Sequence, residues 1–265
     1  MAEQEAAALD AGAIRLHRTG SGPVLVMLHC LGVDHRLWDI AASGSVQDYT
    51  LLSYDFPGHG ETPLPRGPYG IEHLSAQLGA VLARAGIDRA HVAGISLGGL
   101  VAQHFAATQP ARVDKLVLID TTPRYTEETR RMWAERAAAA RSAGVASLID
   151  GLLRIWFTDA FVAADPPAVR YVRETLRGCS GEGYALACEA LAAAELRPLA
   201  PEIKAPTLVI CGEQEMPAFL DAARWLGATI PGARNAWLAP ARHCSILEQP
   251  DAFRRALRSF LGGTA

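Results

Sequence analysis

The sequence predicts an α/β fold in which helices cover both faces of a mostly parallel sheet. Short apolar runs end in turn residues, and helix-forming stretches separate these runs, as expected where helices connect parallel strands. The runs are residues 24–28, 50–54, 91–93, 116–119, 207–210 and 235–238. A chain of 265 residues has room for one large domain with an insertion.

The N-terminal residues and the net charge exclude several classes of protein. Residues 1–5 are acidic and lack the basic and apolar regions of a secretory signal, so we expect a cytoplasmic location. Residues 1–12 are predicted to be mobile. A net charge of -3 argues against nucleic acid or an anionic membrane surface as a partner. We therefore expect a small-molecule substrate and no nucleic-acid or membrane partner.

The first two long runs are followed by loops that can serve a site at the carboxyl edge of the sheet. Residues 29–32 read His-Cys-Leu-Gly, and the backbone N–H of Leu31 is predicted to be an oxyanion donor. His29 and Cys30 are expected to line the substrate pocket. Residues 55–60, Asp-Phe-Pro-Gly-His-Gly, are predicted to form a tight turn that positions this loop.

The third run leads into Gly94-Ile95-Ser96-Leu97-Gly98, directly before a helix-forming segment. A Gly-x-Ser-x-Gly turn exposes the serine hydroxyl and aims the next N–H at an oxygen that becomes negative during acyl transfer. Because the pattern fixes only three residues, it also occurs by chance in unrelated proteins. We predict that Ser96 is a nucleophile and that Leu97 supplies an oxyanion donor.

A serine nucleophile needs a histidine base and an acid that orients the histidine. His243 follows the last apolar run, which agrees with the chain order serine, acid, histidine. Two carboxylates are candidates for the acid. Glu215 follows run 207–210 by a short loop, the usual position of this residue, and Asp120 ends run 116–119. We favour Glu215 and keep Asp120 as the alternative acid.

Between residues 122 and 201 the strand-like runs stop, and a segment rich in Ala, Arg and Glu replaces them. This composition predicts helices. The sequence therefore predicts a core of residues 13–121 and 202–262, interrupted by a helical cap of residues 122–201.

With these motifs in order, the chain resembles the α/β-hydrolase superfamily over nearly its full length, and within it the 3-oxoadipate enol-lactonases. The resemblance rests on residues 67–72, 154–158, 182–184, 188–190 and 196–198, several of which fall in the predicted cap. It implies the α/β-hydrolase fold. It also implies that Ser96, Glu215 and His243 are the nucleophile, acid and base, and that Trp156 is a cap residue near the pocket.

Three positions depart from the pattern of these lactonases. Residues 29–32 read His-Cys-Leu-Gly in place of Asn-Ser-Leu-Gly, and the acid is Glu215 in place of aspartate. Phe56-Pro57 replaces Thr-Arg before Gly-His-Gly. Because a guanidinium group suits a carboxylate, the missing arginine bears on how a dicarboxylate substrate is held.

The resemblance implies a serine hydrolase of aromatic catabolism that opens 3-oxoadipate enol-lactone to 3-oxoadipate through an acyl-enzyme. A related esterase or lactonase, acting on another ester or on a secondary-metabolite lactone, is the nearest alternative. Alternatives of other classes are a non-catalytic ligand-binding member of the fold and a haloperoxidase-like or C–C bond hydrolase. The sequence has no metal-ligand spacing, phosphate-binding glycine loop or dinucleotide fingerprint, so we expect no metal and no cofactor.

Overall fold

A computed structural model describes residues 11–42, 44, 48–65 and 67–262, and these residues form a seven-stranded sheet flanked by helices. The strands are β1 (His17–Gly20), β2 (Val24–Leu28), β3 (Thr50–Ser53), β4 (Ala90–Ile95), β5 (Val113–Ile119), β6 (Thr207–Gly212) and β7 (Arg234–Leu238). Their order across the sheet is β1-β3-β2-β4-β5-β6-β7. Only β1 pairs antiparallel, and the other described pairs are parallel. The predicted α/β fold is confirmed.

The helices are α1 (Arg36–Ala42), α2 (Ile71–Arg84), α3 (Leu97–Thr108), α4 (Glu127–Ala143), α5 (Ile149–Trp156), α6 (Asp159–Ala164), α7 (Pro167–Gly178), α8 (Gly181–Ala193), α9 (Pro217–Thr229), α10 (Ser245–Glu248) and α11 (Pro250–Gly262). Every residue of β4 and β6 is buried, as expected for parallel strands covered on both faces. No helix in the described ranges is long and apolar enough to cross a membrane.

The register of the parallel strands brings their carboxyl ends to one edge of the sheet. Ile95, the last residue of β4, pairs with Ile119 of β5, and Ile119 pairs with Ile210 of β6. Gly212 then pairs with Leu238, the last residue of β7. The loops that follow these four strands therefore meet. They carry the predicted nucleophile Ser96, the predicted base His243 and the two candidate acids, Asp120 and Glu215.

Helices α4–α8 lie between β5 and β6, where the sequence predicts a cap. Their starts are set by side chains that accept hydrogen bonds from free N–H groups of the first turn. Thr126 accepts from Thr129 N in α4, Thr158 from Phe161 N in α6, and Ser180 from Gly183 N in α8. The division into core and cap stays a prediction. Of the terminus predicted to be mobile, residues 1–10 lie outside the described residues.

Candidate active site

Ser96 lies at a sharp turn between β4 and α3, with φ 53° and ψ -112°. Such angles cost free energy in a non-glycine residue, and neighbouring contacts must hold them. Ser96 N donates to Ile119 O over 2.9 Å, and Thr121 Oγ1 donates to Ser96 O over 2.9 Å. The chain passes so closely here that a Cβ at Gly94 would lie 2.2 Å from Gly98 O. The glycines of the motif therefore make the turn possible.

In the structure, two consecutive hydrogen bonds connect Ser96 to His243 and His243 to Glu215. His243 Nε2 lies 3.0 Å from Ser96 Oγ, and His243 Nδ1 lies 2.6 Å from Glu215 Oε2. All three residues are buried. Because the carboxylate can only accept, it holds the Nδ1 hydrogen and leaves Nε2 to take the serine proton. This is the arrangement that a general base needs.

Two opposing effects set the pKa of His243. Burial lowers the pKa, but the charge of Glu215 and the hydrogen bond to its carboxylate outweigh burial, and Asp120 adds to their effect. The pKa of His243 is therefore raised above its ordinary value. The same charge stabilises the imidazolium ion that forms when His243 takes the serine proton.

Glu215 reaches His243 from the short loop after β6. Met216 N donates to Glu215 Oε1 over 2.8 Å, which leaves Oε2 for His243. Gln214 N donates to Ala241 O over 2.9 Å, so the loop that carries the acid is bound to the loop that carries the base.

Asp120, the other candidate acid, hydrogen-bonds elsewhere. It is fully buried, with φ 43°. Its Oδ1 accepts from Gly212 N over 2.9 Å, and its Oδ2 accepts from Ser245 N over 3.1 Å and Ser245 Oγ over 2.6 Å. Burial and the charge of Glu215 raise the pKa of Asp120 to about 7. Of the two carboxylates, Glu215 thus lies against His243, and Asp120 anchors the loop that follows His243.

The two backbone donors predicted for the oxyanion lie in neighbouring loops. Leu97 is the first residue of α3, where N–H groups have no acceptor within the helix. Leu31 follows β2, and Gly98 N donates to His29 O over 3.1 Å, which ties that loop to the start of α3. In the described part of the chain, neither Leu31 N nor Leu97 N donates a hydrogen bond to another protein group. Their role as donors stays a prediction.

His29 connects two loops, and its place in the substrate pocket stays a prediction. It is fully buried, and burial lowers its pKa. His29 Nε2 accepts from Phe56 N over 2.9 Å, so Nδ1 carries the hydrogen and donates to Cys30 O over 2.7 Å. With both nitrogens engaged, His29 joins the loop of Leu31 to the turn of residues 55–60.

Cys30 and Trp156, the other two predicted pocket residues, both lie beside the loop of His243. Cys30 is buried, and a hydrogen bond between its thiol and that of Cys244 contributes, after burial, to raising the pKa of Cys244. The carbonyl of Trp156, at the end of α5, accepts from Cys244 N over 2.9 Å. These contacts place both residues next to His243, and their contact with a substrate stays a prediction.

Phe219, which no sequence pattern marks as a site residue, contacts the base directly. Its ring lies edge-on to the His243 ring, with 4.8 Å between centroids. Phe219 also lines a hollow of about 520 Å³ between the loop after β5, α4 and α9. An apolar residue in the first turn of a helix does not by itself indicate contact with a catalytic base. The one available signal was that Phe219 lies four residues after Glu215.

Comparison with known proteins agrees with the resemblance seen in the sequence. Residues 25–256 match the model of the alpha/beta hydrolase family. The chain is 32% identical to 3-oxoadipate enol-lactonase 2 of Acinetobacter baylyi over 90% of this chain and 88% of that protein. It is 31% identical to a pimeloyl-(acyl-carrier protein) methyl ester esterase of Chromobacterium violaceum, over 91% and 95%. The solved enol-lactonase of Burkholderia xenovorans LB400 superposes with a TM-score of 0.90, at 34% identity over 94% of this chain and 96% of that chain.

Proposed function

The chain belongs to the alpha/beta hydrolase family and is a carboxylic ester hydrolase, and we propose that it opens 3-oxoadipate enol-lactone to 3-oxoadipate. The observation that carries the proposal is the hydrogen-bonded line of Ser96, His243 and Glu215. It supports acyl transfer through a serine nucleophile. The similarity to two proteins named enol-lactonases supports the choice of substrate.

In the proposed reaction, Ser96 Oγ attacks the lactone carbonyl while His243 Nε2 takes the hydroxyl proton. The oxyanion of the tetrahedral intermediate faces the N–H groups of Leu31 and Leu97. The ring C–O bond then breaks, and the leaving enol oxygen takes the proton from His243. An enol is a good leaving group because its negative charge is delocalised.

Because the leaving group of a lactone remains attached to the acyl part, the acyl-enzyme carries the whole substrate. His243 next takes a proton from water as the water oxygen attacks the ester carbonyl. The bond to Ser96 Oγ breaks, and Oγ recovers its proton from His243. One water is consumed, and the enol product becomes the ketone as a proton is lost from its oxygen and one is gained at carbon.

A positive charge in the predicted cap supports a substrate with a carboxylate. Arg136 lies in α4, with its guanidinium carbon 4.6 Å from the centre of the Trp133 ring. Burial raises the pKa of the hydroxyls of Tyr125 and Tyr184, and the nearby charge of Arg136 acts to lower it. The Tyr125 ring lies 5.5 Å from the Trp133 ring and 6.3 Å from the Phe219 ring, which contacts His243, so Arg136 is on the side of the cap that faces the catalytic loops.

Arg136 is free to bind a substrate carboxylate. Within the described ranges, no carboxylate forms an ion pair with it, and the buried hydroxyl of Tyr184 lies close enough to share a hydrogen bond with its guanidinium group. A guanidinium and a hydroxyl together suit a carboxylate. Phe56-Pro57 stands where the lactonases have Thr-Arg, and Phe56 is fully buried. We propose that Arg136 supplies the charge missing at Phe56-Pro57.

Steady-state kinetics with two substrates test this proposal. We expect turnover of the enol-lactone derived from muconate, and we expect Arg136→Gln to reduce its kcat/KM by about 10- to 100-fold, as for loss of a charged hydrogen bond of about 1.5–3 kcal/mol. Hydrolysis of neutral p-nitrophenyl acetate should stay unchanged. Arg131→Gln, an exposed arginine of the same helix, is the matched control. Absence of enol-lactone turnover in an enzyme that cleaves the acetate would overturn the substrate assignment.

A second candidate substrate is an ester with a longer acyl chain. The hollow beside Phe219 is lined by Met132, Met216 and Trp225, which are exposed apolar side chains suited to an acyl chain. The similarity to the Chromobacterium violaceum esterase points the same way. Competition between the enol-lactone and the methyl ester of a seven-carbon diacid separates the two, because the true substrate should have much the larger kcat/KM.

A further inference from the structure

We propose that the chain binds one divalent transition-metal ion, with zinc as the best fit, between His17, His35, Asp55 and Glu61. These residues take no part in the proposed catalytic line of hydrogen bonds. One potential ligand atom from each of the four lies within 4.8 Å of those of the other three. The donors come from three separate parts of the fold, namely β1, the loop before α1 and the turn after β3.

Within two pairs of donors, the distances are already close to those around a bound zinc ion, and all four donor atoms lie within 4.8 Å of one another. His17 Nε2 lies 3.0 Å from Glu61 Oε2, and His35 Nδ1 lies 3.0 Å from each carboxylate oxygen of Asp55. In a tetrahedral site with bonds of about 2.0–2.2 Å, neighbouring donors lie roughly 3.3 Å apart. The ion would take the place of the hydrogens that these pairs now share, and each pair would open by a few tenths of an ångström.

The two imidazoles are already side by side. The rings of His17 and His35 stack with 3.5 Å between centroids and 8° between planes. Lone pairs lie in the ring planes, so both rings must tilt about their side-chain torsions to face one ion. Such torsions are broad in histidine, so this rotation costs little free energy.

The backbone holds most of the cluster in position. Asp55 Oδ1 accepts from His35 N over 2.6 Å, and Asp55 Oδ2 accepts from Glu61 N over 2.9 Å. His17 pairs with Ser53 across β1 and β3, two residues before Asp55. Asp55 itself is buried. The carboxylate of Asp55 and the backbone of His35, Glu61 and His17 are therefore held in place without a metal, which lowers the entropic cost of binding an ion.

Solvent has access to the cluster. His35 and Glu61 line a hollow of about 500 Å³, together with Asp34 and Gly60. The side chains of His17 and Glu61 are 26% and 43% exposed. An ion can thus enter without opening the core.

The kinds of donor decide which metal fits. Two imidazole nitrogens and two carboxylate oxygens suit zinc and its neighbours, whereas magnesium and calcium prefer oxygen donors alone. Two carboxylates balance the charge of a dication. Arg15 lies 3.0 Å from Glu61 Oε1 and leaves Oε2 on the side of His17.

Metal binding is measured directly on untagged protein stripped of metal with a chelator. We expect one zinc ion per chain by elemental analysis after dialysis against zinc chloride, together with a higher Tm. Cobalt should replace zinc and give the visible absorption of a four-coordinate site. Since even loss of a residue that only supports a metal ligand costs about 10–100-fold in affinity, His17→Gln and Glu61→Gln should each weaken zinc binding at least tenfold.

The test variants lie at the exposed side of the cluster, and Asp55 is avoided because its carboxylate also holds backbone N–H groups. His104→Gln and Glu213→Gln replace residues of the same types elsewhere and should bind zinc like the wild type. If zinc is not bound, or if the wild type and both test variants bind it with the same affinity, the proposal is overturned. Hydrolysis of p-nitrophenyl acetate by each variant shows that the chain has folded.

Discussion

His243 Nδ1 lies 2.6 Å from Glu215 Oε2, and this contact identifies the carboxylate that orients the base. Asp120 does not contact His243. The three hydrogen bonds that its carboxylate accepts come from Gly212 and Ser245. One carboxylate therefore touches the base, and the other holds the loop on which the base is carried.

Glu215→Gln should abolish most of the activity and leave the fold intact. A glutamine can accept from His243 but does not stabilise the imidazolium ion, and it can donate to Nδ1 and hold the wrong tautomer. We expect kcat/KM to fall by about 10³–10⁴-fold. Urea unfolding followed by circular dichroism should show little change. Near-normal turnover in this variant would assign the acid to another residue.

Asp120→Asn should act mainly on stability. An asparagine has one acceptor oxygen, so it cannot receive all the hydrogen bonds from Gly212 and Ser245. We expect the free energy of unfolding to fall by about 1–3 kcal/mol, as when buried hydrogen-bonding groups lose their partners. Denaturant titration measures the loss. A loss of kcat/KM as large as that of Glu215→Gln would show that Asp120 serves the base directly.

The activity should have an acid limb set by His243. Only the neutral imidazole can take the serine proton, and the raised pKa of His243 means that the neutral form appears at higher pH than for a free histidine. We expect kcat/KM to rise with pH through a midpoint above about 6.5. Removing the charge in Glu215→Gln should move the midpoint of the residual activity down. A midpoint below 6.5 in the wild type would contradict the proposed effect of Glu215.

Gly98→Ala should damage the oxyanion site. An added Cβ would lie 2.2 Å from Leu28 O and 2.7 Å from His29 O, so the loop of Leu31 must move. Misplacing one donor typically costs about 10²–10³-fold in kcat. Gly151→Ala in α5 is the matched control, because its Cβ would meet nothing within 4 Å. If Gly98→Ala keeps the kcat of the Gly151→Ala variant, the loop contact has no part in catalysis.

Chain order and strand ends were enough to predict Ser96 and His243 as residues that meet, because parallel strands deliver their loops to one edge. The choice between Glu215 and Asp120 could not be made in this way, since both follow strands that are neighbours in the sheet. Which of them turns toward His243 depends on backbone angles and loop contacts that no local pattern reveals.

Residues brought together from distant positions were the hardest to predict. The position of His29 after a strand suggested a pocket residue, but nothing in the sequence indicated its hydrogen bond with Phe56 N, 27 positions away. The proposed metal ligands gave no spacing signal because His17 and Glu61 are 44 positions apart and His35 and Asp55 are 20 apart. β1 was not among the predicted apolar runs, because its four residues are mostly exposed at the edge of the sheet.

The role of Ser96 is tested most directly by kcat/KM for the muconate-derived enol-lactone, measured side by side for the wild type and Ser96→Ala. We expect turnover by the wild type and a loss of at least about 10³-fold in the variant, because alanine has no oxygen to attack the lactone carbonyl. Rapid quenching of the wild type should also reveal a covalent adduct on Ser96 with the mass of the whole lactone. Undiminished turnover by Ser96→Ala would show that Ser96 is not the nucleophile.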